Sequence, residues 1–231
     1  MTIHTTIRLF LLLTFLRAFG AGMIFPVYVP YLLHNGLTIF EVSLVNSVFF
    51  WGQFLFEIPT GILADKFGRR GSVLTAWMMN SISMLLFGFS GSMPWFMAAE
   101  LIDAVGCTFA SGAFDAWITD QLRSLGHSER MSKLFAKSRF IEALAICVGA
   151  PIGALLLQWS PQAPWILSAC ATFTATGVAS YMMHEDLGYR ANAHDMGTPV
   201  HPADSMLGAL RWSLQNTQLK YMFIVTTVFT A

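Results

Sequence analysis

The sequence predicts an all-α membrane protein that crosses the bilayer six times, and three observations predict it. Of the 231 residues, 55% are hydrophobic and 11% charged, against roughly 25% charged in soluble domains. Such a chain cannot coat a water-facing surface and takes lipid as its solvent. Six apolar runs of about 18 to 25 residues follow one another, each near the length that spans ~30 Å of hydrocarbon. The cations gather in the segments on one side of those runs.

The first run, Leu9–Leu33, carries one charge, Arg17. A secretory leader would use Arg8, the core Leu9–Leu16 and the small residues of Ala18–Gly22, but Arg17 cuts that core short and the apolar run resumes beyond it. The loop His34–Phe40 leads to Val42–Ala64, interrupted by Gln53, Glu57 and Pro59. Ser72–Phe89 is the third run, and the small-residue turn Ser90–Met93 opens the fourth, Pro94–Ile118. Asp120–Lys137 is polar and charged; Phe140–Trp159 and Trp165–Met183 are the fifth and sixth runs, joined by the proline turn Ser160–Pro164. Prolines 26, 30, 59 and 151 sit inside these runs, where membrane helices tolerate them as kinks. The predicted domains are a six-helix bundle over 1–183, a linker over 184–217 and the start of a seventh span over 218–231. That last apolar stretch stops after about 20 Å of helix, so the chain reads as truncated there.

With the N-terminus inside, the external segments are His34–Phe40, Ser90–Met93 and Ser160–Pro164, and none holds a lysine or arginine. Apart from Arg17, every one of the 13 basic residues falls in or at a cytoplasmic segment, as the excess of cations on inner loops requires. The 13 basic and 13 acidic residues cancel, which argues against a nucleic-acid partner. Cys107, Cys147 and Cys170 lie inside apolar runs and read as small core hydrophobes.

Several ions stand where lipid would forbid them: Arg17, Glu57, Glu100, Asp103, Asp115 and Glu142. A central ion costs about 2.5–3.5 kcal/mol on insertion scales, so each is expected to face protein or water. Counting about 100° per residue, Glu100, Asp103 and Asp115 share an arc of about 120°, while Asp120 falls about 200° from Glu100. By depth Arg17 matches Glu57, with Asp103 about 10 Å higher. One reading is that these ions only neutralise one another and hold the helices in register. The functional one is that a carboxylate binds a proton or a cationic substrate, with Glu100 and Asp103 the candidates and Arg17 and Glu57 beside them in the same cavity. Asp115 and Glu142 lie near the cytoplasmic surface, where solvation suffices. Phe49, Phe50, Trp51, Phe109 and Phe114 add aromatic surface suited to a lipophilic cation or, equally, to packing.

Between the second and third runs lies a polar hairpin, Gly61–Arg70, read as GILADKFGRR, with Lys66, Arg69 and Arg70 setting it on the cytoplasmic side. Its spacing, Gly-x-x-x-Asp-Lys-x-Gly-Arg-Arg, resembles the loop signature of the major facilitator superfamily of secondary transporters, and the six runs, linker and start of a seventh resemble its topology. The resemblance implies the N-terminal six-helix half of such a transporter, built of inverted three-helix repeats around a cavity of alternating access. It implies that the first and fourth helices line that cavity, that Asp65 latches one conformation against the other half, and that Arg69 pairs with an acid at the cytoplasmic end of the fourth span, where Asp120 stands. Gly61 and Gly68 would allow close approach and a tight turn. The chain departs from the exporters in two places. Glu100–Gly106 contains no arginine, and Ala150-Pro151-Ile152-Gly153-Ala154 only approximates the Gly-Pro-x-x-Gly-Gly of antiporters. Ser111–Asp120 is similar to a segment of bacterial exporter-type members.

The function expected is therefore proton-coupled efflux of a small molecule, in a bacterial inner membrane, completed by a second six-helix half. A non-transporting fragment, a half-transporter and an uptake symporter are the alternatives. The partners are a small-molecule substrate, protons, the lipid bilayer and the missing C-terminal half; no cofactor and no metal are assigned. An intramembrane serine protease would need a Gly-x-Ser loop, and Ser111 lacks the first glycine while all six histidines lie outside the spans. No Gly-x-x-x-x-Gly-Lys phosphate loop occurs.

Overall fold

The computed structural model describes residues 3–127, 129 and 131–184, without the side chains of Ile62, Asp65 and Lys66. The expected linker from 185 onward and the expected start of a seventh span lie outside the described residues. Every described element is a helix: α1 (Ile3–Ile24), α2 (Tyr28–His34), α3 (Ile39–Phe89), α4 (Met93–Ala110), α5 (Ala113–Ser124), α6 (Met131–Trp159) and α7 (Ala163–Met182).

The first apolar run is two helices rather than one. Pro26 and Pro30 bring no N–H, so the carbonyls of Gly22 and Pro26 lose their i+4 donors. The chain answers with a tightened turn in which Val27 N bonds Ile24 O at 3.0 Å, and α2 starts again at Tyr28. Thr38 then begins α3 through a capping box: its hydroxyl accepts from Glu41 N, and the Glu41 carboxylate accepts from Thr38 N at 2.7 Å.

The expected ten-residue hairpin at Gly61–Arg70 is helical on both sides of a single joint. Gly68 alone leaves helical geometry, with φ 80° and ψ 166°, a left-handed backbone open to glycine and costly for other residues. The chain reverses there. A Cβ on Gly52, before the joint, would lie 2.8 Å from Ala104, and one on Gly106 would lie 3.0 Å from the carbonyl of Ala76, after it. A straight helix would hold residues 52 and 76 about 36 Å apart, so α3 is two arms folded back upon α4.

The fourth run also breaks. Gly112, with φ 70° and ψ −17°, separates α4 from α5, so an angular count from Glu100 does not carry across it. The arc predicted for Glu100, Asp103 and Asp115, and the offset predicted for Asp120, hold only for an unbroken helix; the contiguous acids are Glu100 and Asp103. α6 starts at Met131, ahead of the expected Phe140, because Lys133, Lys137 and Arg139 extend the helix on long stems whose charged heads reach water.

Among the described residues, five helical stretches are long and apolar enough to cross a membrane: Ile3–Ile24, Ile39–Gly61, Phe67–Phe89, Met93–Ser124 and Met131–Trp159. α7 has 20 residues, about 30 Å of helix. Its Ser168, Thr172 and Thr176 are buried. Ser168 Oγ donates to Gly20 O of α1 at 3.0 Å, and the two threonines donate back to their own helix at 3.1 and 2.8 Å. These hydroxyls leave no bare polar group for lipid to meet.

Two apolar clusters mark the two ends of the bundle. One joins the start of α1 (Leu9–Leu13), α3 just after the joint (Val73–Trp77), α5 (Trp117–Leu122), Leu134 and the end of α7 (Ala179, Met183). The other joins the end of α1, α2, both far ends of α3 (Val42, Phe87), the start of α4 (Phe96, Ala99) and the start of α7 (Trp165). The helices therefore alternate in direction, and between the clusters lies a polar belt.

Candidate functional site

α4 carries the centre of that belt. Glu100 is buried, with 5% of its surface exposed, and accepts a hydrogen bond from Tyr28 Oη of α2 at 2.5 Å. Asp103, one turn on and half-buried, accepts from Asn80 Nδ2 of α3 at 2.5 Å. Ser83 Oγ donates to the neighbouring Ala99 carbonyl at 2.9 Å. Both acids are thus turned inward onto protein, and both side-chain donors that hold them are neutral. Two close carboxylates without a cation repel each other, and a proton or a positively charged ligand relieves that repulsion.

Arg17 does not serve them. It pairs with Glu142 of α6 at 3.1 Å, not with Glu57 or Asp103, and Arg139 holds the other oxygen of Glu142 at 2.8 Å. Depth along a helix says nothing about which helix lies alongside. α1 and α6 run parallel with their backbones nearly touching: a Cβ on Gly22 would meet Ile146 at 2.8 Å, and one on Gly153 would collide with the Met23 carbonyl. That contact sets Arg17 opposite Glu142. Glu57 is exposed on the first arm of α3, and Glu142, expected to be solvated, is the partner of two arginines.

At the end of the bundle nearest Gly68, side chains of opposite sign meet. Arg69 Nη1 lies 2.8 Å from Asp120 Oδ2 of α5. Arg70 donates to Ser180 O in the last turn of α7 at 2.5 Å, where the helix dipole is negative. Trp117 Nε1 and Gln121 Nε2 both donate to His184 O, at 3.0 and 3.2 Å. α5 thereby touches the loop on one side and the end of the described chain on another. Gly61 makes no close approach here, since a Cβ would meet nothing within 4 Å; the roles expected of Asp65 and Lys66 lie outside the described side chains.

The aromatic residues divide. Phe109 and Phe114 belong to the core, Phe114 stacking on Phe10 at 4.7 Å and meeting Trp77 edge-on at 5.2 Å. Phe50 and Trp51 are exposed and, with Ser47 and Phe54, line a shallow outward concavity of the first arm. Cys147 and Cys170 are exposed rather than core, while Cys107 is half-buried. Tyr28 and Asn80 went unread as site residues. Asn80 was legible as an amide in an apolar run; Tyr28 had no signal beyond its place two residues after Pro26.

An alternating bundle of apolar helices with two acids of its fourth span turned inward and a charged joint at one end defines a multi-pass membrane transport fold. The Major Facilitator Superfamily profile matches residues 10–230, and the chain belongs to that family of transporters. Among its relatives, the tetracycline resistance protein, class B, of Escherichia coli is 26% identical over 193 residues, covering 82% of this chain and 47% of the relative. The quinolone resistance protein NorA of Staphylococcus aureus is 22% identical over 171 residues, 74% of this chain and 43% of NorA. An uncharacterized MFS-type transporter of Bacillus subtilis, YxaM, is 22% identical over 152 residues, 66% and 37% of the two chains. The chain thus spans less than half the length of these relatives.

Proposed function

We propose that the chain forms the N-terminal half of a proton-coupled secondary transporter that expels a small molecule by alternating access. The observation that carries this is the acidic pair on α4, Glu100 and Asp103, held by Tyr28 and Asn80 with no cation paired to it among the described residues. A buried carboxylate that meets only neutral donors is stable as a protonated acid or beside a cationic ligand, and exchange between those two states is the chemistry of an antiporter. Arg17, already neutralised by Glu142, orients α1 against α6 in this reading. Arg69 and Asp120, with Asp65, Lys66 and Arg70 around the Gly68 joint, form the switch that latches one conformation, and Gly61 leaves room for a second six-helix half. The resistance functions named for two relatives favour efflux of a drug-like molecule. The acidic, arginine-free stretch Glu100–Gly106 departs from exporters and favours uptake symport as the second reading.

In this reading the N-terminus and the Gly68 joint face the cytoplasm of a bacterial inner membrane. The test is a proton-flux assay on the complete protein in vesicles, screened with cationic and anionic substrates. Substrate-dependent proton movement is expected, and its direction separates efflux from uptake. Transport that moves no protons at any pH overturns the coupling.

A further inference from the structure

The acidic pair is reached by one side chain from a part of the first span that the proline break sets apart. Tyr28 is the first residue of α2, and its hydroxyl makes the one side-chain hydrogen bond to Glu100 among the described residues, at 2.5 Å. The indole N–H of Trp165, whose ring lies 6.3 Å from that of Tyr28, is buried and has no hydrogen-bond partner among the described residues. α2 is joined to α1 through Phe25–Val27, and around that joint the carbonyls of Gly22 and Pro26 lack their helical donors. A segment so joined pivots at the break more readily than an unbroken helix does. Tyr31, one turn on, fixes α2 to the end of α3 by donating to Phe87 O at 2.9 Å, whereas Tyr28 fixes it to α4.

We infer that Tyr28 is the positioning residue of the acidic pair: its hydroxyl ties the charge state of Glu100 to where the far part of the first span sits. The inference rests on the proton-coupled reading given above. When α2 is docked, the Tyr28 O–H bonds the Glu100 carboxylate. When α2 withdraws, Glu100 Oε1 loses that donor and takes a proton from water, becoming a neutral acid. When α2 returns, the proton leaves to water and the bond re-forms. By linkage, protonation of Glu100 favours withdrawal of α2 as strongly as withdrawal favours protonation. The groups facing Glu100 are few. Asp103 lies one turn along α4 and acts on it by charge. Asn80 on α3 is neutral and bonded to Asp103, the half-buried thiol of Cys107 lies further along α4 within reach of both acids and Arg17, and Arg17 on α1 is held by Glu142.

The test uses the full chain, in nanodiscs for infrared titration and in vesicles for transport. The Glu100 carboxylic-acid band is assigned by its loss in Glu100→Gln. Tyr28→Phe keeps the ring against Phe87 and Trp165 and removes only the hydroxyl. Its expected effect is a titration midpoint for that band about one pH unit or more above wild type, since a donated hydrogen bond favours the carboxylate. Tyr31→Phe, which loses a hydroxyl bond of the same helix, leaves the band in place. An unmoved midpoint in Tyr28→Phe, or an equal shift in Tyr31→Phe, overturns the inference. Added to Glu100→Gln, Tyr28→Phe changes the transport pH profile no further; an undiminished effect there also overturns it. If the midpoint shifts as expected while transport moves no protons, the coupled-transport reading fails and the assignment of Tyr28 to Glu100 stands.

Discussion

The charges of the polar belt and those around Gly68 are held in opposite ways. On α4, two carboxylates a turn apart receive hydrogen bonds from neutral Tyr28 and Asn80. Around the joint, Asp120 is met by Arg69, and across the α1·α6 contact Glu142 is met by Arg17 and Arg139. An acid with a cation beside it has its charge balanced by that partner, so it serves geometry. One with only neutral donors is balanced in one protonation state alone, so it can report on, or be driven by, protons. In the proposed reading the same residue type therefore holds helices together at one level of the bundle and exchanges protons at another.

The largest effect should come from removing the chemical kind. Asp103→Asn in the complete protein is expected to abolish proton-driven transport while expression stays at wild-type level; transport at the wild-type rate, measured by proton flux in vesicles, would erase the distinction. Glu142→Gln comes next. It leaves Arg17 without its acid, and because the Arg17 and Glu142 side chains are 40% and 22% exposed, water screens part of the loss. A drop of about 1–2 kcal/mol in stability is expected from the thermal midpoint in detergent, with the proton dependence of residual transport unchanged. A changed proton dependence would move Glu142 into the chemical group.

Asp65→Asn should slow conformational cycling several-fold and leave the pH profile where it was. Unchanged single-turnover kinetics would remove Asp65 from the latch. The smallest effect belongs to the Arg69–Asp120 pair, which is 33% and 24% exposed. Asp120→Asn alone should cost up to about 1 kcal/mol, and the exchange Arg69→Asp with Asp120→Arg should recover most of it. Failure of that exchange to recover anything would show that the pair does more than balance charge.

Much of this arrangement was legible in the residues. Hydropathy located the crossing segments, and GILADKFGRR located the turn, because a left-handed joint between cations is written there as Gly68. The inward placement of Glu100 and Asp103 followed from the cost of ions in lipid. What escaped was of two kinds. The breaks at Phe25–Val27 and Ser111–Gly112 were hidden, since proline and glycine are ordinary inside membrane helices and the apolar pattern runs on through both. Helix neighbours were hidden as well: one-dimensional depth matched Arg17 to Glu57, but the glycines at 22, 149 and 153 bring α6, not α3, against α1 at that level. A contact made by missing side chains leaves little trace in a hydropathy profile.

The left-handed residue at 112 has a mechanical consequence of its own. Asp120, Trp117 and Gln121 bind the loop and His184 to α5, while Glu100 and Asp103 ride on α4. In the proposed switch, a swing imparted by the loop would reach the acids along the fourth span through a swivel of one residue, so that α5 would tilt while α4 keeps its grip on Tyr28 and Asn80.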